Sequence, residues 1–154
     1  MPFVLPDELQ KKQMSIREFM DAEIVPIAEE KDRKGPLSYS ENIELFKKLL
    51  PLGYIRAFNP EDVGGLDATY LERAVMAEEL GRAWGALVVT LDTNAGVIEM
   101  IARFGTEEHK KRWAEPGTRG EIIGADMVSE PGGGSDQTQF KTTAILNGDH
   151  YVVN

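Results

Sequence analysis

The stretch Met127–Asp136, MVSEPGGGSD, marks the point where the character of the chain changes. An apolar run ends in Ser129-Glu130-Pro131, and three consecutive glycines then precede a serine and an aspartate. Glycine permits positive φ angles and a close approach of the backbone to a ligand, so successive N–H groups can converge on an anion such as a pyrophosphate. The same composition is typical of a flexible turn between two strands. The stretch alone therefore predicts either an anion-binding loop or a plain turn.

Three common motifs are excluded at this loop. The dinucleotide pattern G-x-G-x-x-G fails because Gln137 occupies the position of the third glycine, and no helical pattern begins there. A Walker phosphate loop fails because the Gly-Lys-Ser/Thr ending is absent. The nucleophile elbow G-x-S-x-G fails because the second residue after Ser135 is Gln137 and not a glycine. Ser135 is therefore not expected to be a nucleophile.

Upstream of the loop, apolar residues recur at helical spacing along most of the chain. We predict five helices before any strand. The first runs from Asp7 to about Glu30, with a capping pair formed by Asp7 and Gln10 and a bend or end at Pro26. The second begins after Ser40 as N-cap and ends at Pro51, and the third begins after Asp67 as cap and runs through Leu80. The fourth covers Leu87 to Ala102, and Thr106 caps the last.

Downstream of Gly120 the pattern becomes β-prone. Strands are predicted at Glu121–Val128, Thr138–Leu146 and His150–Val153, with Asn147-Gly148-Asp149 as a hairpin turn. The fold class is therefore mainly α: a helical bundle domain over residues 1–120, followed over residues 121–154 by the first strands of an antiparallel β-domain. Because the last strand would keep an unpaired edge, we expect a fragment or one piece of a larger assembly.

Composition excludes several classes of protein. The net charge is −9 and the basic residues are scattered, which argues against a nucleic-acid or anionic-membrane surface. The absence of cysteine excludes disulfides, thiolate catalysis and cysteine zinc sites. We expect no membrane span, because the apolar runs are shorter than about 20 residues. The N-terminus has no basic segment leading into an apolar one, so a cytoplasmic protein is the simplest expectation.

Five short motifs follow one another along the chain. They are Pro60–Gly65 (PEDVGG), Ala77–Gly81 (AEELG), Phe104–Lys110 (FGTEEHK), Ser129–Asp136 (SEPGGGSD) and Asn147–Asn154 (NGDHYVVN). In this order and spacing they resemble the N-terminal half of the flavin-dependent acyl-CoA dehydrogenases, over essentially all 154 residues. The resemblance implies a helical domain, a middle β-domain and a C-terminal helical bundle, with FAD between the β-domain and the bundles of neighbouring subunits. It favours the ligand-binding interpretation of the glycine loop.

The resemblance also implies a cofactor-binding set in this sequence. The set consists of Asp126, Met127, Val128, Ser129, Gly134 and Ser135. Val128 and Ser129 correspond to residues that bind the pyrimidine edge of the flavin, and Gly134 and Ser135 to residues at the pyrophosphate. Ser135 also matches a position that contacts the acyl-CoA. Asp126 departs from the family, which usually has an aromatic or small residue there.

The implied reaction converts an acyl-CoA to the 2,3-enoyl-CoA, with a glutamate base and hydride transfer to flavin N5. The base is expected beyond Asn154, so no catalytic residue is assigned in this chain. Glu78, Glu79, Glu107 and Glu108 are interpreted as surface charge. The implied partners are acyl-CoA, an electron-transfer flavoprotein or similar acceptor, and further copies of the chain in a tetramer or dimer.

Two alternatives remain open for the function. An acyl-CoA oxidase or flavin monooxygenase of the same superfamily would share this scaffold. A non-catalytic helical module, assembling with another subunit, would need no complete site in this chain.

Asp92 is the least expected residue of the fourth helix. It lies with Thr90, Thr93 and Asn94 in an otherwise apolar segment, where an unpaired charge is costly. One interpretation is that Asp92 faces solvent or caps a neighbouring helix. The other follows from the resemblance, because the segment runs beside the acyl-chain pocket in the family. Asp92 would then bind substrate and tune specificity toward an unusual acyl group, including a cyclic one, or accept a second proton.

The remaining candidate side chains have simpler interpretations. His109 and His150 lack the spacing of a metal site, so both are expected at the surface and no metal is predicted. Trp84 and Trp113 are expected to anchor packing.

Overall fold

In a computed structural model that describes residues 4–154, helices occupy most of the chain up to residue 118 and a β-hairpin follows. The helices are α1 (Asp7–Glu23), α2 (Val25–Lys34), α3 (Tyr39–Leu49), α4 (Tyr54–Ala57), α5 (Tyr70–Ala83), α6 (Gly85–Phe104), α7 (Glu107–His109) and α8 (Glu115–Thr118). A π-helical turn (Lys110–Ala114) joins α7 to α8, and the hairpin consists of β1 (Ala144–Asn147) and β2 (His150–Val153). The predicted fold class is confirmed. The division at residue 120 stays a prediction.

The capping residues of the helices agree with the sequence prediction at α7 and differ from it at α3. Thr106 caps α7 as predicted, with its Oγ1 accepting the His109 N–H at 3.2 Å. The prediction of Ser40 as the cap of α3 is wrong. Ser38 is the cap, because Glu41 lies three residues later and completes a reciprocal capping box with it.

The same error occurs at α5. Thr69 caps this helix instead of Asp67, again because a glutamate three residues later, Glu72, accepts the N–H of the capping residue at 2.8 Å. Asp67 has φ +41° and pairs with Arg103 at 3.0 Å.

The first predicted helix is two helices. The chain breaks at Ile24, and Pro26 lies in the first turn of α2, where its missing N–H costs no intrahelical hydrogen bond. The predicted Asp7–Gln10 capping pair does not form. Pro6 occupies the capping position, and the Gln10 Nε2 instead donates to the Leu5 carbonyl at 2.7 Å.

The main core lies where α1, α5 and α6 pack together and α3 and α4 close around them. Its largest fully buried side chains are Tyr54, Phe46, Met20, Ile24, Leu49, Ile55, Met76, Leu80 and Leu91. A second, smaller cluster joins the C-terminal half of α6 to the π-helical turn, and consists of Val63, Ile98, Ala102 and Ala114. Helix α6 therefore contributes to both clusters and connects them.

Helix α6 has one property that the sequence analysis did not anticipate. Its 20 residues, with a mean hydropathy of 1.3 in the most apolar window, are long and apolar enough to cross a membrane. Core helices of soluble proteins meet the same criterion, and one face of α6 is buried in the clusters described above. Length and composition alone are therefore weak support for a span.

The β-region is shorter than predicted. Residues 121–128 form no strand, because a β-prone segment needs a partner and none of the described residues supplies one. The predicted strand at Thr138–Leu146 is reduced to β1. The hairpin itself is confirmed: Asn147 pairs with His150 across a two-residue turn, and Gly148 has φ +65°.

Candidate functional site

Helix α6 anchors the segment that leads into the candidate cofactor site. The Gly124 N–H donates to Oδ1 of buried Asn94 at 2.7 Å. A Cβ at Gly124 would lie 2.9 Å from Val97 side-chain atoms, so the segment passes too close to α6 for a larger residue. The side chains that follow, from Asp126 to Ser129, are exposed. The segment therefore starts from a fixed point and presents its side chains outward.

The glycine loop has its own hydrogen-bonded geometry. The N–H of Glu130 donates to the Gly133 carbonyl at 2.9 Å, and the N–H of Gly133 donates back at 3.1 Å. The Glu130 carboxylate also accepts the backbone N–H groups of Lys141 and Thr142, both at 2.8 Å. Hydrogen bonds from Thr142 and from the Lys141 backbone lower the pKa of Glu130. This carboxylate thus ties the loop to the chain that enters β1.

Asp136 closes the other end of the loop. Its Oδ1 accepts the hydroxyl of Thr138 at 2.6 Å and the Thr138 N–H at 3.1 Å. These bonds, the hydroxyl's first, lower the pKa of Asp136. Both acidic groups of the loop are therefore engaged by the loop's own chain.

The glycines do not adopt the conformations that the sequence analysis invoked. None of Gly132, Gly133 and Gly134 has a positive φ angle. Their contribution is the missing side chain: no atom lies within 4 Å of a Cβ built at Gly132, and one at Gly134 would lie 3.2 Å from the Ser129 Oγ. The backbone of the loop is accessible because its glycines have no side chains, and Ser129 contacts Gly134 directly.

The residues present fit the cofactor that the resemblance implies. The backbone N–H groups of Val128, Ser129, Gly134 and Ser135 donate to no protein group in residues 4–154. Exposed N–H donors of this kind suit flavin carbonyls and a pyrophosphate. The neighbouring carboxylates, Glu130 and Asp136, already accept hydrogen bonds from their own chain. The roles of Asp126, Met127, Val128, Ser129, Gly134 and Ser135 stay predictions.

Asp92 lies on the exposed side of α6 and accepts a hydrogen bond from the Tyr54 hydroxyl. Tyr54 is 1% exposed, and its ring packs edge-to-face on Phe58 with centroids 5.4 Å apart. Burial, and then the bond to Asp92, raise the pKa of Tyr54, so the phenol stays protonated and donates. Asp92 is therefore exposed and fixed at once. The sequence analysis did not identify Tyr54 as its partner.

Glu79 corrects one of the surface predictions. Glu78, Glu107 and Glu108 are exposed as expected. The Glu79 side chain is fully buried and bound by Arg17 and Arg82, because it follows Val75 and Met76 on the buried face of α5. That helical spacing was visible in the sequence.

The aromatic and histidine predictions have mixed outcomes. Trp84 is buried, and its Nε1 donates to Asp32 at 3.0 Å, which confirms an anchoring role. Trp113 is 41% exposed, with the Arg112 guanidinium 4.7 Å from its ring. His109 and His150 are exposed. Across residues 4–154 no group of three or more histidine, aspartate and glutamate residues could hold a metal ion.

Comparison with known proteins gives consistent matches over nearly the whole chain. The sequence model of the acyl-CoA dehydrogenase N-terminal domain matches residues 6–121. The short-chain specific acyl-CoA dehydrogenase of Mus musculus mitochondria is 34% identical over 151 residues, which cover 97% of this chain and 36% of that protein.

Two solved structures have the same fold. A glutaryl-coenzyme A dehydrogenase in complex with glutaryl-CoA is similar with a TM-score of 0.84 and 32% identity, over 100% of this chain and 39% of that one. An acyl-CoA dehydrogenase from Bacillus anthracis, complexed with FAD, is similar with a TM-score of 0.81 and 30% identity, over 100% and 26%. The chain thus spans well under half the length of these relatives.

Proposed function

The chain belongs to the acyl-CoA dehydrogenase family, and we propose that residues 126–135 form one wall of an FAD and acyl-CoA site in the full-length protein. The observation that carries this proposal is the glycine loop, where free backbone donors lie beside carboxylates already engaged by their own chain. An anion approaching the loop therefore meets N–H groups that no protein acceptor occupies, while the oxygens of Glu130 and Asp136 accept hydrogen bonds from their own chain.

The proposed roles divide along the segment. The backbone at Val128 and the hydroxyl of Ser129 bind the pyrimidine edge of the flavin, and Gly134 with Ser135 binds the pyrophosphate. Asp126 and Met127 lie exposed immediately before them, so they contact the cofactor from the same segment. Ser135 also contacts the acyl-CoA, and Asp92 lines the acyl pocket. When bound, FAD supplies the acceptor for the hydride that leaves the β-carbon of the acyl group.

The chemistry needs more than these residues. We assign no acidic residue of this chain as the base that removes the α-proton, because from the family likeness we expect that glutamate beyond Asn154. The buried glutamate of this chain, Glu79, is held by two arginines. We further propose that the electron acceptor is an electron-transfer flavoprotein, that the full-length protein forms a homo-oligomer, and that it is cytoplasmic. The first two of these proposals rest on the family likeness.

Flavin content tests the cofactor proposal. The full-length protein is expected to purify with FAD, and anaerobic addition of an acyl-CoA to bleach the flavin absorbance. Gly134→Val places a side chain against Ser129 and is expected to reduce FAD occupancy at least tenfold. Gly148→Ala, in the hairpin turn, is the control for a general loss of folding. Full occupancy in Gly134→Val would overturn the assignment of the loop.

The same preparation distinguishes the alternatives. Slow reoxidation of the bleached flavin by oxygen supports a dehydrogenase, whereas fast reoxidation with peroxide release supports an oxidase. A protein that binds no FAD under any condition would support the non-catalytic module.

A further inference from the structure

The outward face of α6 combines apolar side chains with one carboxylate. Val89, Asp92, Gly96 and Met100 follow one another at intervals of three and four residues, so they form one stripe along the helix. We call these four residues the α6 stripe. Val89 is 64% exposed and Met100 is 55% exposed, and no atom lies within 4 Å of a Cβ built at Gly96. The α6 stripe is therefore an exposed, mainly apolar surface that contains one carboxylate.

The buried Tyr54 fixes the position of the Asp92 carboxylate. Asp92 Oδ1 accepts the hydroxyl of Tyr54, whose ring is fixed by burial and by Phe58. Oδ2 of Asp92 has no partner, and no cation pairs with Asp92, among residues 4–154. One oxygen is therefore held by the protein while the other stays available to accept a hydrogen bond from outside.

We propose that the acyl group of this protein's substrate carries a hydrogen-bond donor, a hydroxyl or an ammonium, on its distal part, and that Asp92 Oδ2 accepts from it. Val89 and Met100 contact the apolar part of the acyl group, and the bare backbone at Gly96 makes room for it. The inference rests on the proposed function, because it requires α6 to line the acyl pocket.

Charge determines which acyl groups are favoured. A purely apolar acyl group would displace water from Asp92 without replacing its hydrogen bonds, which is unfavourable. A second carboxylate on the acyl group would be repelled by Asp92. A donor restores the lost hydrogen bond, and a charge-assisted bond of this kind is expected to favour its substrate by about tenfold or more.

The test compares four acyl-CoAs of equal chain length that end in methyl, hydroxyl, ammonium or carboxylate. For the full-length flavoprotein, kcat/KM and the rate of anaerobic flavin reduction are measured for wild type and variants. Wild type is expected to favour the hydroxyl or ammonium substrate over the methyl one by about tenfold or more, and to discriminate most against the carboxylate. Asp92→Leu should reverse the order of donor and methyl substrates.

Two further variants separate charge from position. Asp92→Asn keeps an acceptor oxygen, so preference for hydroxyl should persist while preference for ammonium falls. Tyr54→Phe removes the group that orients Asp92 and should weaken the donor preference severalfold, mainly through KM. Glu108→Gln, on an exposed carboxylate, is the control and should keep the wild-type order.

The outcomes distinguish this inference from the proposed function. If the methyl acyl-CoA reduces the flavin and Asp92→Leu keeps the wild-type order, the inference is wrong and the proposed function stands. If no acyl-CoA reduces the flavin of a protein with bound FAD, both are wrong. If the order of donor and methyl substrates reverses in Asp92→Leu and is kept in Glu108→Gln, both the inference and the proposed function are supported.

Discussion

The guanidinium of Arg17 on α1 binds the buried carboxylate of Glu79 on α5 through two hydrogen bonds. Nε lies 2.9 Å from Oε2 and Nη2 lies 2.6 Å from Oε1. The Arg82 Nε adds a third bond to Oε2 at 3.1 Å. Glu79 has no exposed side-chain surface, whereas the side chain of Arg17 is half exposed. The pair therefore fixes the packing of α1 on α5 from the edge of the core.

Glu79→Gln is expected to destabilise the protein by about 2–4 kcal/mol. Breaking a buried pair from one side typically costs about 3–5 kcal/mol, and the half-exposed Arg17 can recover part of that by hydration. Urea denaturation measures the change. Glu78→Gln, its exposed neighbour on α5, is the control and should stay within about 0.5 kcal/mol of wild type. Equal effects for the two variants would contradict the prediction.

The same pair predicts a pH dependence. Hydrogen bonding to Arg17, and then to Arg82, lowers the pKa of Glu79 below its unfolded value of about 4.3. The stabilisation is thus complete above about pH 4.3, and it declines as the pH falls through the lower folded pKa. Denaturation from pH 7 to pH 3 should show the stability difference between wild type and Glu79→Gln shrinking below about pH 4.3. A difference independent of pH would refute this.

Gly65→Ala is expected to be among the most damaging glycine substitutions. A Cβ at Gly65 would lie 1.9 Å from the Asn59 carbonyl oxygen, so the backbone of the loop would have to move. We expect a loss of about 3 kcal/mol or more, measured by thermal denaturation. At Gly85, the first residue of α6, no atom lies within 4 Å of a Cβ, so Gly85→Ala should be neutral or stabilising.

Asn94→Ala should loosen the start of the candidate cofactor segment. The variant removes the acceptor of the Gly124 N–H, so that amide should exchange with solvent at least about tenfold faster. Hydrogen exchange followed by mass spectrometry resolves peptides over residues 121–128. Thr93→Ala, at the exposed position next to Asn94, serves as the control and should leave this exchange unchanged.

Glu130→Ala tests whether the loop must be held in shape to bind FAD. The variant releases the N–H groups of Lys141 and Thr142, and the loop loses its connection to the hairpin. We expect the dissociation constant for FAD, measured by fluorescence quenching, to rise about tenfold while the melting temperature of the helical part changes little. An unchanged dissociation constant would mean that the loop forms without Glu130.

Local signals were the predictable part of this fold. The Thr106 cap and the Asn147-Gly148-Asp149 turn each depend on a few neighbouring residues, and both were identified. The caps of α3 and α5 are local signals as well. Ser38 and Thr69 each have a glutamate three residues later, whereas Ser40 and Asp67 are followed at that distance by Ile43 and Tyr70, which cannot complete a capping box.

Long-range pairing was the unpredictable part. Arg17 and Tyr54 acquire their roles only when the fold brings Glu79 and Asp92 to them, from 62 and 38 residues away. Strand formation has the same dependence: residues 121–128 have β-propensity, but propensity does not create the partner that a strand needs. For the candidate site, the sequence identified the loop, but not the hydrogen bonds by which Glu130 binds Lys141 and Thr142 from the segment before β1.

The Arg17–Glu79 pair also constrains the order of events during synthesis. A ribosome adds about 5–20 residues per second, so the 62 residues that separate the pair take about 3–12 s to make. Throughout that interval Ile16 and Met20 of α1 lack the helix that covers them. The nascent N-terminal helix is therefore exposed to chaperones and to aggregation for seconds, and mutations that delay its docking on α5 should lower the yield of soluble protein.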